Sequence, residues 1–262
     1  MLTSLTRSRA LAVCALPIAA LVAVAGFAPL PFVVAEPGMT ANVLGEHRGK
    51  PVITISGAPT RTTEGALRMT TIVATGPSAE VGLGDVIDGW FRTDQAILPR
   101  ESVYPAGQSD KEVERRNVKD MEESQDDATR AALSYLDEDP AKVKVTLHLA
   151  DVGGPSAGLL FSLGIIDKLD GNGKGGDLTG GRSIAGTGTI TADGKVGEVG
   201  GVSLKTQAAK RDGATVFLVP EGECSDARAE LPEGLRLIPV TTLNGAVESL
   251  QALDAGGKVP SC

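Results

Sequence analysis

The sequence predicts an α+β fold, and three observations carry that prediction. Short β-branched runs bounded by Gly and Pro occupy residues 51–55 and 67–73. A long helical segment follows at Asp110–Leu136, and beyond it strands and helices alternate through residue 253.

Each element has its own justification. Pro51-Val52-Ile53-Thr54-Ile55 and Leu67–Val73 read as strands, and together they suggest a hairpin. Asp110–Leu136 opens after Ser109, a plausible N-cap, with acids in its first turn. Its second half turns a small-residue face inward through Ala128, Ala131, Ala132, Leu133 and Leu136. Asp137–Lys142 is a turn. Val143, Val145, Leu147 and Leu149 then alternate with Lys144, Thr146, His148 and Ala150, the pattern of a strand with one buried face. Leu159–Leu169 is apolar nearly all round and reads as a buried helix, with Pro155 suited to its first turn. Residues 170–181 are a Gly-rich loop. Gly186–Ile190 and Lys195–Val199 form a hairpin across Asp193-Gly194. Lys205–Arg211 starts a helix closed by Asp212-Gly213, Thr215–Val219 and Leu235–Val240 are strands, and Leu243–Leu253 is a last helix.

Composition removes several function classes. The chain has 262 residues, 42% of them hydrophobic and 22% charged, so it is no disordered polymer. Its net charge is −8, and the first 35 residues contribute only Arg7 and Arg9. The remaining body is therefore still more acidic, which argues against nucleic acid as a main partner. Aromatic residues at 3% are too few for stacking platforms. Two histidines and three cysteines do not make a structural zinc site. No G-x-x-x-x-G-K-[ST] motif occurs, so no P-loop ATPase is encoded.

Ala10 to Ala35 carry no charge, Arg7 and Arg9 precede them, and Glu36 follows. Spanning a bilayer takes about 20 apolar residues, and positive charge before the run directs the downstream chain across the membrane. A retained anchor is favoured. A cleaved signal peptide with an A-x-A site at Ala23-Val24-Ala25 is the other reading. Both place residues 36–262 outside the cytoplasm, where Cys224 and Cys262 can bridge or remain as two thiols.

Candidate chemistry begins at Gly153-Gly154-Pro155-Ser156-Ala157-Gly158, which leads into the buried helix. A serine there is either an ordinary helix cap or a nucleophile beside N–H groups that receive an oxyanion. A nucleophile needs a base. His148 lies eight residues upstream, without an evident carboxylate to orient it. Lys205 follows the Gly200-Gly201 turn with Val199, Val202 and Leu204 beside it. As a base its pKa must fall toward about 7–8. As an ordinary surface lysine it would stay charged.

Taken together, Gly154-Pro155-Ser156-Ala157-Gly158 and Gly200-Gly201-Val202-Ser203-Leu204-Lys205 resemble the proteolytic domain of Lon peptidases. Further similar segments are Met121-Glu122-Glu123-Ser124 through Leu136, Leu178-Thr179-Gly180, and Ala214–Pro220. The resemblance covers roughly residues 50–250. Within that family the sequence is most similar to membrane-anchored, extracytoplasmic bacterial forms, which carry Gly-Gly before the Pro-Ser-Ala-Gly. Those usually contain a PDZ domain, whereas here the corresponding space holds only Asp137–Lys142.

The resemblance implies one α+β domain of Lon proteolytic type, mixed sheets with packed helices, at residues 52–255. Residues 1–35 are the anchor or signal peptide, 36–51 a connector and 256–262 a tail. It implies an ATP-independent serine endopeptidase with Ser156 as nucleophile and Lys205 as base, Thr179 and Gly154 in support, and no metal or cofactor. The implied partners are protein or peptide substrates, the membrane through the N-terminal segment, and no nucleic acid; self-association stays open. A small-molecule kinase of related shape and a non-catalytic scaffold are the alternatives.

Overall fold

The computed structural model describes residues 7–104, 108–149 and 153–262. Ala150, assigned to a strand by alternation, lies outside them, as do residues 1–6 of the N-terminal segment. In chain order the elements are α1 (Arg7–Phe27), β1 (Phe32–Asn42), β2 (Glu46–His47), β3 (Lys50–Pro51), β4 (Ile53–Ser56), β5 (Ala66–Ala74), α2 (Leu83–Trp90), β6 (Ala96–Pro99), α3 (Arg100–Val103), α4 (Asp110–Tyr135), β7 (Lys144–Leu147), α5 (Gly158–Leu169), β8 (Ser183–Gly186), β9 (Thr189–Ile190), β10 (Val196–Gly197), α6 (Val202–Arg211), β11 (Val216–Pro220), α7 (Cys224–Arg228), β12 (Arg236–Val240) and α8 (Leu243–Asp254). A 3-10 turn at Glu221–Glu223 joins β11 to α7. The α+β expectation holds.

The chain divides into two units. The first comprises residues up to Ala35 together with Ala74–Asp110. Within it, residues 32–35 of β1 pair antiparallel with β6, from Phe32 opposite Pro99 to Ala35 opposite Ala96. α1 leaves Leu11, Leu16, Ile18 and Leu21 exposed. Among the described residues, no helix is long and apolar enough to cross a membrane. The expected spanning segment therefore finds no support in these helices.

The second unit, Glu36–Val73 and Lys111–Cys262, holds the larger core. Its sheet runs in the order β12-β11-β8-β5-β1. β12, β11, β8 and β5 are mutually parallel, so their carboxyl ends lie at one edge. Strand alternation divides the core into two layers. Val216, Leu218 and Ile238 join the apolar cluster that includes α5 and α8. Phe217, Val219 and Leu237 join the other, with Val202 and Ala209 of α6 and Ala227 of α7. A sheet covered on both faces needs strands apolar on both faces, which is why β11 is buried along its length.

Two expectations change here. Residues 51–55 and 67–73 do not pair as a hairpin. β4 pairs antiparallel with β7, while β5 lies beside β8 in the main sheet. Leu67, Met69 and Thr70 are all buried, so β5 needs neighbours on both sides and both faces. The 36–51 segment expected as a connector instead carries most of β1. Its Gly38 is a close-approach position rather than a break: a Cβ there would come within 2.8 Å of the Thr71 backbone. The predicted hairpin at 186–199 does form, as β9 and β10 with Val196 opposite Ile190.

Candidate active site

The site lies at the carboxyl ends of the parallel strands, where helices from the two faces of a sheet come together. α5 and the serine loop approach from one face, and α6 with Lys205 from the other. Thr187, the first residue after β8, stands between them.

The serine loop is held against α4. The Gly154 N–H donates to the Asn117 carbonyl at 3.0 Å, and Ser124 Oγ donates to the Pro155 carbonyl at 3.0 Å. Asn117 and Ser124 are two turns apart and share one helix face. Contact this close requires glycine. A Cβ on Gly153 would lie 2.7 Å from Asn117 Cβ, and one on Gly158 would lie 2.9 Å from Ser124 Oγ. Gly154 also has φ +87°, a conformation that favours glycine. Ser156 is half-buried at the end of this loop.

α5 begins at Gly158, so Pro155 lies outside its first turn. The N–H groups of Gly158 and Leu159 are committed to the carbonyls of Pro155 and Gly188. These two N–H groups at the helix start are therefore paired within the protein, whereas the sequence places the expected oxyanion donors around Ser156 itself.

Lys205 lies in the first turn of α6, which begins at Val202, and is only 3% exposed. Gly201 enters the helix with φ +66° and packs against Ile72. Lys205 Nζ donates to Thr187 Oγ1 at 3.1 Å. The Thr187 hydroxyl in turn donates to the Ser156 carbonyl at 3.3 Å, and the Gly188 N–H reaches the same oxygen at 3.0 Å. One hydroxyl therefore links the lysine head group to the backbone of the serine. Burial pushes the Lys205 pKa down to about 8, and the carboxylates of Glu223 and Asp226 oppose that fall. This is the direction a lysine base requires.

The structure does not place Thr179 beside Lys205. Its hydroxyl donates to the Glu64 carbonyl at 2.8 Å and accepts the Gly181 N–H at 3.2 Å, fastening the Gly-rich loop to the segment before β5. Thr187 occupies the position beside the lysine. The sequence places Thr187 within the Gly186–Ile190 arm of the hairpin and does not single it out. His148 is exposed just past β7, with its backbone N–H on the Val52 carbonyl. Sequence reading also missed Asn117, Glu223 and Asp226. The charges of both acids act on Lys205, and Asp226 Oδ2 accepts the Val202 N–H of α6 at 2.8 Å. Cys224 and Cys262 are bridged.

Comparison with known proteins bears on the same segment. A family description, the Lon protease (S16) C-terminal proteolytic domain, matches residues 117–252. A Lon protease of Mycoplasma genitalium is 32% identical over 154 residues, 54% of this chain and 19% of that protein. One from Clostridioides difficile is 35% identical over 114 residues, 41% of this chain and 14% of the relative. One from Chloroflexus aggregans is 37% identical over 94 residues, 34% of this chain and 11% of the relative. The chain thus aligns with less than a fifth of the length of these relatives. The matched segment contains the serine loop, Thr187, the buried lysine and the acids that face it, and on that match the chain belongs to the Lon protease C-terminal proteolytic domain family.

Proposed function

We propose that this chain is an ATP-independent serine endopeptidase that cleaves exposed segments of proteins outside the cytoplasm. The observation that carries the reading is Lys205, buried, with a lowered pKa, and joined through Thr187 to the backbone of Ser156. In this mechanism neutral Lys205 takes the Ser156 hydroxyl proton as Oγ bonds to the substrate carbonyl carbon. The resulting ammonium returns the proton to the amine as the C–N bond breaks. Water then attacks the acyl carbonyl as Lys205 takes its proton; the bond between that carbon and Ser156 Oγ breaks, the acid product leaves, and the ammonium returns the proton to Oγ, restoring the serine and the neutral lysine. No P-loop occurs in the sequence, so substrates have to present flexible segments without ATP-driven unfolding.

Two observations support the compartment. A disulfide suits an oxidising environment, and the uncharged run after Arg7 and Arg9 suits export, as anchor or as leader. Protease added to spheroplasts should digest the body, and complete protection would refute this placement.

The catalytic reading is tested with casein as a flexible substrate, with and without ATP. Ser156→Ala and Lys205→Ala should each lower the cleavage rate by about 10³-fold or more, with circular dichroism unchanged. The double variant should be little worse than either single one, because the two groups act as a unit. Substantial cleavage by either single variant would remove the dyad.

A further inference from the structure

The 3-10 turn after β11 brings a second set of charges to the lysine. Glu223 Oε1 accepts the Val199 N–H at 3.0 Å. Its Oε2 is buried and has no hydrogen-bond partner among the described residues. Asp226, one turn further on, is committed to α6, accepting the N–H groups of Val202 and Ser203 at 2.8 and 3.3 Å. The two acids therefore differ in kind. Asp226 fixes the start of the helix that carries Lys205, whereas Glu223 grips the strand-to-helix turn with one oxygen and leaves the other without a partner. Glu223 and Asp226 face Lys205 electrostatically from this segment, and Thr187 faces it from the end of β8. Glu223 is faced in turn by Glu198, whose carboxylate lies against Gly222, and by Asp226 and Lys205.

We propose that Glu223 is a positioning residue whose half-buried carboxylate helps set the protonation of Lys205, and with it the pH range in which the enzyme works. The inference rests on Lys205 serving as the base. Desolvation alone destabilises the lysine ammonium, and a nearby carboxylate restores part of what is lost. Burial also pushes the Glu223 pKa up, while the Val199 N–H and the Lys205 charge pull it down. With Glu223 ionised, Lys205 holds its proton to higher pH, and the rising limb of activity lies correspondingly higher. Glutamine at 223 keeps an acceptor for the Val199 N–H and removes only the charge.

The test is the pH profile of kcat/KM for full-length wild type and Glu223→Gln, beside Lys205→Ala. Glu223→Gln should move the rising limb down by about half to one pH unit. At pH 6.5 that makes the variant about three- to tenfold faster than wild type, with the alkaline plateau changed by less than about threefold. A merely structural role would lower the plateau and leave the limb in place, and that result would overturn the proposal. Should Glu223→Gln fail to fold, the reciprocal measurement decides. In ¹³C-glutamate-labelled protein, Lys205→Ala should raise the Glu223 titration midpoint, and an unchanged midpoint overturns the proposal. An active Lys205→Ala enzyme would instead refute the dyad, and an inactive one with an unmoved limb in Glu223→Gln refutes this inference alone.

Discussion

The Thr187 hydroxyl does two jobs at once, accepting from Lys205 Nζ and donating to the Ser156 carbonyl. Thr187→Val removes both bonds at nearly constant volume. It should lower kcat/KM by about 10- to 100-fold, while Thr187→Ser should retain most activity. Thr179→Val strips the bonds to Glu64 and Gly181 instead. Its cost should appear as about 1–2 kcal/mol of stability in urea denaturation, with the pH profile unmoved. The kcat/KM profile should rise with pH through an apparent pKa of about 8, since the base acts only when neutral. Lys205→Arg should be as inactive as Lys205→Ala, because a guanidinium stays protonated. The serine loop and Gly200-Gly201-Lys205 were legible because both motifs are contiguous in sequence. Thr187 was not, because its role is set by where β8 ends, and two threonines in Gly-rich surroundings look alike until the strands are registered. Glu223 was hidden for a related reason: its partner is 18 positions away and reached only through the turn after β11.

α5 and α4 meet so closely that single methyl groups matter. Gly158→Ala would place a Cβ 2.8 Å from Ile190 Cγ2 and 2.9 Å from Ser124 Oγ. It should cost about 1–3 kcal/mol and lower activity by displacing the serine loop, as urea denaturation and casein cleavage would both record. Toward the far end of α5, Asp167 is wholly buried, with Oδ1 accepting the Leu178 N–H at 2.7 Å and Oδ2 unpartnered among the described residues. Burial raises its pKa from 3.8 to about 6. The folded state therefore binds this proton more tightly than the unfolded state does. Its stabilising effect is complete below about pH 4 and is lost as pH rises through 6. Asp167→Asn should raise stability by on the order of 2 kcal/mol at pH 8 and by little at pH 4, read from denaturation at the two pH values. At this scale the sequence was most readable where burial follows a simple period, as in α4, α5 and β11. It misled where pairing is non-local. β4 and β7 are neighbours across some 90 residues, and nothing within either segment names its partner. Pro37 and Gly38 looked like punctuation in a segment that is in fact a strand.

For the second unit as a whole, the Cys224–Cys262 bridge fastens residues 259–262 to the helix that supports Lys205. Closing a loop with a sequence separation of 38 contributes about 4 kcal/mol in the chain-entropy account. Cys262→Ser should lower the urea midpoint, and mild reduction of wild type should do the same. Unchanged stability on reduction would show that the bridge does not constrain the fold in solution. The loop it closes contains β12 and α8, and residues 228–231 and 233–234 are exposed. A peptidase stored among its own copies is at risk of autolysis at such a stretch. A cut there would leave two chains still joined through sulfur, with β12 held in the sheet by its parallel pairing to β11. Nicked enzyme should then run as one band on a non-reducing gel and as two after reduction, and it should keep much of its activity until a reductant releases the second chain.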